Sequence, residues 1–216
     1  MAGQGFADTA MPYDRLPARA EGVVRPEVWN LSRYSAGIRV GFRTDATSIH
    51  ARWTLTEEQL AKHHMAATAV SGLDLYIDLG EGYRWAGIGR PESFPDNEAA
   101  LLSGGVEGEK RCLIYLPLYN GVSALSVGVP TGCALEPISD LADSLPILFY
   151  GTSITHGASA TRPGSAHVQK IGRRLGIPTI NLGFSGNGRM EPEVSRPCGR
   201  GGCLPLPDRL LAEYGC

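Results

Sequence analysis

From "VWNLSRYSAGIRVGFRTDATSIHARWTL" onward, hydrophobic and polar positions alternate. In "GIRVGFRT" the apolar Ile38, Val40 and Phe42 interleave with Arg39, Gly41 and Arg43, and in "SIHARWTL" Ile49, Ala51, Trp53 and Leu55 face one way. A period of two is that of a strand with one face buried, so both stretches predict half-buried antiparallel strands. "SGLDLYIDLGEGYRWAGIG" places Leu73, Leu75, Ile77 and Leu79 on one face and Asp74, Tyr76 and Asp78 on the other. Its "GEG" then turns the chain back into "YRWAGI" as a hairpin. "RCLIYLPLY" and "ALSVGVP" read as further strands. Short strands separated by Gly, Pro and Asn turns predict a β-sandwich of the jelly-roll kind over residues 26–140. Residues 1–25 read as an extended, proline-punctuated lead-in.

The rhythm changes between residues 136 and 146, which predicts a domain boundary there. "PILFY" is a continuous apolar run, as expected of a strand covered on both faces. "SAHVQKIGRRLG" follows, with Val168, Ile171 and Leu175 at helical spacing, and then a second apolar strand, "IPTINLG". Strand, helix, parallel strand is a βαβ unit, the opening of a doubly wound α/β domain. Residues 146–216 leave room for only two strands where such a sheet needs about five, so the domain is incomplete. Burial of both faces of this sheet by so little chain is not expected.

Composition narrows the function classes. The 216 residues are 43% hydrophobic, enough for a packed core, and 20 basic residues face 22 acidic ones. That balance, without a Lys/Arg run, gives no support to nucleic-acid or anionic-membrane binding. The N-terminus lacks a basic region followed by an apolar one, and no stretch approaches the roughly 20 apolar residues of a membrane span. The expected location is the cytoplasm. Among the five cysteines, Cys112 and Cys133 read as small buried hydrophobes. Cys198, Cys203 and Cys216 crowd the tail, where the C-x4-C of "CGRGGC" has no histidine near it and makes a poor zinc site.

Candidate chemistry centres on "ILFYGTSITHG", where a strand runs into a small-residue turn holding Ser153. A phosphate loop needs G-x-x-x-x-G-K-[ST], but Gly151 and Gly157 are separated by five residues and no lysine follows. A nucleophile elbow needs G-x-S-x-G, and its fifth position here is Thr155. "GFSGNG" has the wrong glycine spacing for a dinucleotide fingerprint. Together, "YGTSITHG" after the first strand and "NLGFSGNGRMEPEV" after the second resemble the first two sequence blocks of the SGNH (GDSL-like) hydrolase family. In the matching branch Gly-Thr-Ser-Ile replaces Gly-Asp-Ser-Leu. "GLDLY", Gly72 to Tyr76, matches the G-x-D-L-Y signature of the β-sandwich that precedes the catalytic domain in that branch.

The resemblance implies a β-sandwich followed by a partial flavodoxin-like α/β domain, and hydrolysis of an ester, an acyl group on a carbohydrate, through an acyl-serine. No metal or organic cofactor is implied. It makes Ser153 the nucleophile and gives the backbone amides of Ser153 and Gly186 the oxyanion role, with Thr152, His156 and Asn187 at the substrate pocket. The alternative role for Ser153 is a helix N-cap. His156 is expected on the pocket rim, with a lesser claim to act as base. A non-catalytic glycan-binding sandwich is the rival reading, with Trp53, Trp85 and Tyr83 as stacking candidates and alternation favouring Trp53 in the core.

Two family elements have no counterpart. No Asn-bearing third block and no Asp-x-x-His follow: Asn187 is the only asparagine after Gly186, and no histidine follows His167. Without an imidazole the serine hydroxyl stays protonated and weakly nucleophilic. The tail 195–216 also reads unlike what precedes it. A reading-frame change near Val194, making this chain the front part of a longer esterase, is the expectation.

Overall fold

The computed structural model describes residues 1–138 and 145–194. The chain opens with turns and a 3-10 turn, Ala18–Ala20, before helix α1, Pro26–Ser32. Strands β1 (Arg39–Thr44) and β2 (Ile49–Leu55) and the short α2 (Ala67–Val70) follow. Then come β3 (Leu73–Asp78), β4 (Arg84–Gly89), β5 (Asp96–Leu102), β6 (Lys110–Tyr115), β7 (Val122–Gly128) and β8 (Glu136–Pro137). The α/β segment consists of β9 (Ile147–Gly151), α3 (Ser153–His156), a 3-10 turn (Pro163–Ser165), α4 (His167–Leu175) and β10 (Thr179–Gly183).

Two antiparallel sheets make the sandwich, one in the order β4-β3-β6-β1-β8 and the other β5-β2-β7. Their inner faces meet in a core of Ile38, Phe42, Ile49, Trp53, Leu73, Leu75, Ile114 and Val122, among others. The alternation of β2 holds throughout: Ile49, Ala51, Trp53 and Leu55 are all buried. The Trp53 indole N–H donates to the Ser71 carbonyl at 3.1 Å, so this tryptophan belongs to the core. In β3 the pattern holds through Leu75. Leu79 lies past the strand's end and is exposed. The outward-facing Asp74 and Tyr76 are buried as well, because the 3-10 turn of the α/β segment covers them.

β9 and β10 pair in parallel, with Ile180 opposite Leu148 and Gly183 opposite Gly151. The expectation that their two faces would lack cover is corrected here. Leu148, Ile180, Leu182 and Phe184 pack with Phe6, Leu16, Ala20, Val24 and Val28, so the lead-in and α1 form one covering layer. The odd-numbered positions face α3 and α4, where Thr179 touches Gly172 and Asn181 bonds Thr155. In α4 the buried face is Val168, Gln169 and Gly172, while Leu175 is 58% exposed. That phase differs from the Val168-Ile171-Leu175 stripe because Gly172 allows the helix to approach Thr179 closely.

Cys112 is buried and its thiol is pushed up to about 12 by burial, as befits a small hydrophobe. Cys133 instead sits in a half-exposed turn. The other three cysteines and the tail 195–216 fall outside the described residues.

Candidate active site

The βαβ crossover sets Ser153 at the first position of α3, one residue after the strand bend at Thr152. Thr152, not Ser153, is the N-cap, and it makes no side-chain capping bond. The Ser153 hydroxyl has no hydrogen-bond partner among the described residues, which removes the cap explanation. Its amide N–H is one of the first-turn donors that a helix cannot satisfy internally.

The second turn lies against the first. A Cβ on Gly188 would come 2.2 Å from the Gly151 carbonyl oxygen and 2.9 Å from the Thr152 nitrogen, so only glycine permits the contact. A Cβ on Gly183 would come 2.1 Å from the His156 nitrogen. Phe184 N–H donates to the Gly151 carbonyl at 2.8 Å, extending the strand pairing into the loop. Gly186 adopts a φ of 71°, a left-handed conformation that glycine accepts at little cost, and it faces open space. Like that of Ser153, its N–H has no partner among the described residues.

Several groups hold these turns, and only some were legible beforehand. Asn181, a polar residue inside an apolar strand, donates to the Thr155 carbonyl at 2.8 Å and accepts the Gly183 N–H at 2.8 Å. Arg15 is fully buried. Its guanidinium donates to the carbonyls of Leu31, Tyr34, Asn181 and Gly183 at 2.6–3.1 Å, and stacks on Phe184 with its carbon 5.1 Å from the ring centre. Burial lowers its pKa to about 9, so it remains charged at neutral pH. Arg25 donates to Asn187 Oδ1 at 2.8 Å and pairs with Glu191. The Asn187 amide donates to Ser185 O at 3.0 Å, so its side chain braces the loop instead of reaching into the pocket. Nothing in the lead-in's sequence singled out Arg15 or Arg25, because the partners that tie them to these turns, Asn181 and Asn187 among them, lie over 160 residues away in the chain.

His156 departs from its expected place on the rim. The ring is fully buried and stacks on Tyr119, centres 4.2 Å apart and planes 11° from parallel. Its Nε2 lies 2.7 Å from the Leu118 carbonyl, which accepts only, so Nε2 carries the proton. The lone pair on Nδ1 then faces the Ser185 N–H at 3.4 Å, not Ser153, so this ring is not placed as a base. Burial, and then Arg15, hold its pKa well below the usual histidine range. His167 stands edge-on to Phe149 on α4, and no histidine is bonded to Ser153 among the described residues.

The G-x-D-L-Y signature joins the two halves. Asp74 is fully buried and accepts the Trp85 indole N–H at 2.9 Å and the Gly164 N–H at 2.8 Å, with Arg162 Nε 3.5 Å away. Burial outweighs these donors and raises its pKa to about 6. Arg173 from α4 lies 3.8 Å from the Tyr76 ring centre and donates to the Gly164 carbonyl at 2.6 Å. Asp74 and Tyr76 thus clasp the turn that leads into α4.

Among the described residues no helix is long and apolar enough to cross a membrane.

Comparison with known proteins agrees with this architecture. Residues 1–135 match the family model described as the GxDLY N-terminus of SGNH-hydrolase-type esterases, and residues 144–197 match the GDSL-like lipase/acylhydrolase family. No curated protein matches the chain. Among solved structures, one described as a GDSL-like lipase from Bacteroides ovatus is 34% identical with a TM-score of 0.84, covering 90% of this chain and 56% of its own. A salicylyl-acyltransferase from a tetracycline biosynthetic pathway is 20% identical, with a TM-score of 0.68 over 88% of this chain and 52% of its own. A family two carbohydrate esterase from Clostridium thermocellum is 13% identical, with a TM-score of 0.51 over 89% and 55%. The last two share the fold, and the chain spans about half the length of all three. With more than half its length matched by the GxDLY model, the chain belongs to the SGNH-hydrolase-type esterase family, in the branch whose N-terminal sandwich carries that motif.

Proposed function

We propose that this chain carries the sandwich and the nucleophile half of a serine esterase acting on acyl esters of carbohydrates. Ser153 Oγ attacks the ester carbonyl carbon, and the oxyanion that forms accepts the N–H groups of Ser153 and Gly186. Collapse breaks the bond to the sugar oxygen, which takes up the proton given up by the Ser153 hydroxyl, and leaves an acyl-serine. Water then attacks its carbonyl, releasing the acid and returning a proton to Ser153 Oγ. Thr152 borders this space. The observation that carries the reading is a hydroxyl without a partner among the described residues, on a turn packed against a second turn, each with an amide that has no acceptor among them. The carbohydrate follows from the family resemblance. With no imidazole bonded to Ser153 among the described residues, acylation by this chain is expected to be slow.

The test is covalent labelling by a fluorophosphonate, located by mass spectrometry, beside p-nitrophenyl acetate hydrolysis. Label on Ser153, lost in Ser153→Ala with an unchanged melting temperature, is the expected result. Equal labelling of that variant, or label elsewhere, overturns the assignment.

A second reading, glycan binding by the sandwich, draws on one observation. Trp85 is 51% exposed and lines a cleft of about 390 Å³ with Leu79, Val106 and Leu102. Binding of a soluble glycan that Trp85→Ala abolishes and Ser153→Ala leaves unchanged would favour it.

A further inference from the structure

His156 is a buried imidazole that the proposed chemistry does not use, yet it touches every part from which the site is assembled. It ends α3, the helix that starts at Ser153. Its Nε2–H reaches the Leu118 carbonyl, in the sandwich segment after β6, and its ring lies flat on Tyr119 of the same segment. Its Nδ1 faces the N–H of Ser185, the residue before Gly186. Gly183, on the strand leading into that turn, would collide with the His156 backbone if it bore a Cβ.

We propose that His156 is a positioning residue: a neutral imidazole, protonated at Nε2, through which the sandwich holds the Ser153 turn in register with the Gly186 turn. The proposal rests on the reading of those two turns as nucleophile and oxyanion loop. It assigns the sandwich a part in the site itself. A ring suits the task because its two nitrogens point in different directions at fixed geometry, one donating and one accepting. The neutral form is required at both ends. A proton on Nδ1 would oppose the Ser185 N–H, and a second positive charge would sit beside the Arg15 guanidinium, 3.4 Å from Nε2. The other titratable groups around the ring are Tyr34, Tyr119 and Lys62, whose ammonium lies over the Tyr119 ring. None supplies a negative charge at neutral pH to offset an imidazolium.

The experiment uses the full chain. Side-chain 15N NMR is expected to show His156 as the Nε2–H tautomer, with no titration between about pH 5 and 8, where a free histidine would titrate. In His156→Phe, which keeps a ring on Tyr119, amide exchange at Ser185 is expected to quicken about tenfold, the scale of one lost hydrogen bond. Amides of β2 and β7 should keep their protection, and fluorophosphonate labelling of Ser153 should slow. His156→Asn, whose Oδ1 can still accept the Ser185 N–H, is expected to recover part of that protection. A ring that titrates in this range, a proton on Nδ1, or unchanged exchange at Ser185 in the Phe variant would overturn the proposal. Failure of the wild type to label at Ser153 would count against the nucleophile assignment instead, since the NMR and exchange results decide on His156 independently.

Discussion

Replacing Arg15 by Met tests the account of how the α/β segment is held. Met keeps much of the aliphatic volume but donates nothing, so the part-buried Tyr34 carbonyl and the buried ones of Asn181 and Gly183 lose their donor, while that of Leu31 loses one but still accepts the Tyr34 N–H. Asn181 and Gly183 lie two residues apart on one edge of β10. The Phe184 N–H points to β9, so by strand alternation these odd-numbered carbonyls point away from it and have no ladder partner there. Each orphaned buried acceptor costs about 1–3 kcal/mol, and the lost stacking on Phe184 adds roughly 0.5–2 kcal/mol. Against this, the variant no longer buries a guanidinium, a penalty of several kcal/mol that is visible in the lowered pKa of Arg15. The partners are backbone groups that the mutation cannot remove, so the loss exceeds the relief, and a net destabilisation of about 3–5 kcal/mol is expected. A domain typically has about 5–15 kcal/mol in all. Urea unfolding followed by circular dichroism and by tryptophan emission measures it, with Trp29 of α1 reporting on the lead-in layer. Arg15→Lys, a compact ammonium without the planar fork, should recover only part. A loss below about 1 kcal/mol with an unchanged m value would refute the claim that these carbonyls depend on Arg15.

Two further outcomes follow from the same contacts. Gly183→Ala drives a methyl into backbone and should cost more than about 3 kcal/mol in thermal melts, whereas Gly128→Ala, with nothing within 4 Å, should stay within about 0.5 kcal/mol. Asp74 has a folded pKa of about 6, above its unfolded value of 3.8. The folded state therefore holds that proton more tightly, and its contribution to stability is full below pH 3.8 and lost as pH rises through 6. The stability difference between wild type and Asp74→Asn should change by roughly 2–3 kcal/mol across that window, and a difference independent of pH would rule the raised pKa out.

How much was legible depended on whether the determining contacts were local. The period-two runs of β2 and β3 and the apolar runs of β9 and β10 declare sandwich and βαβ unit, because strand alternation is a property of consecutive residues. The two glycine-rich turns declared the family and the positions of Ser153 and Gly186 for the same reason. By contrast, a histidine at a turn does not reveal which way its ring swings. His156 turned inward because the Leu118 carbonyl and the Tyr119 face, in the segment after β6, offered it a buried partner. Asp74 and Tyr76 looked like the wet side of a strand until Gly164 and Arg173 covered them.

The amino-acid order alone therefore determined the strands, the crossover, and which serine and glycine stand in the turns that follow β9 and β10, since each follows from neighbours in the chain. Only the folded molecule decided that the irregular lead-in is the second covering layer of β9 and β10, and that Arg15, Arg25 and His156 bond the turn after β10 or the strand leading into it. Those roles come from hydrogen bonds and burial between segments far apart in sequence, and such pairings leave no periodic trace in the chain.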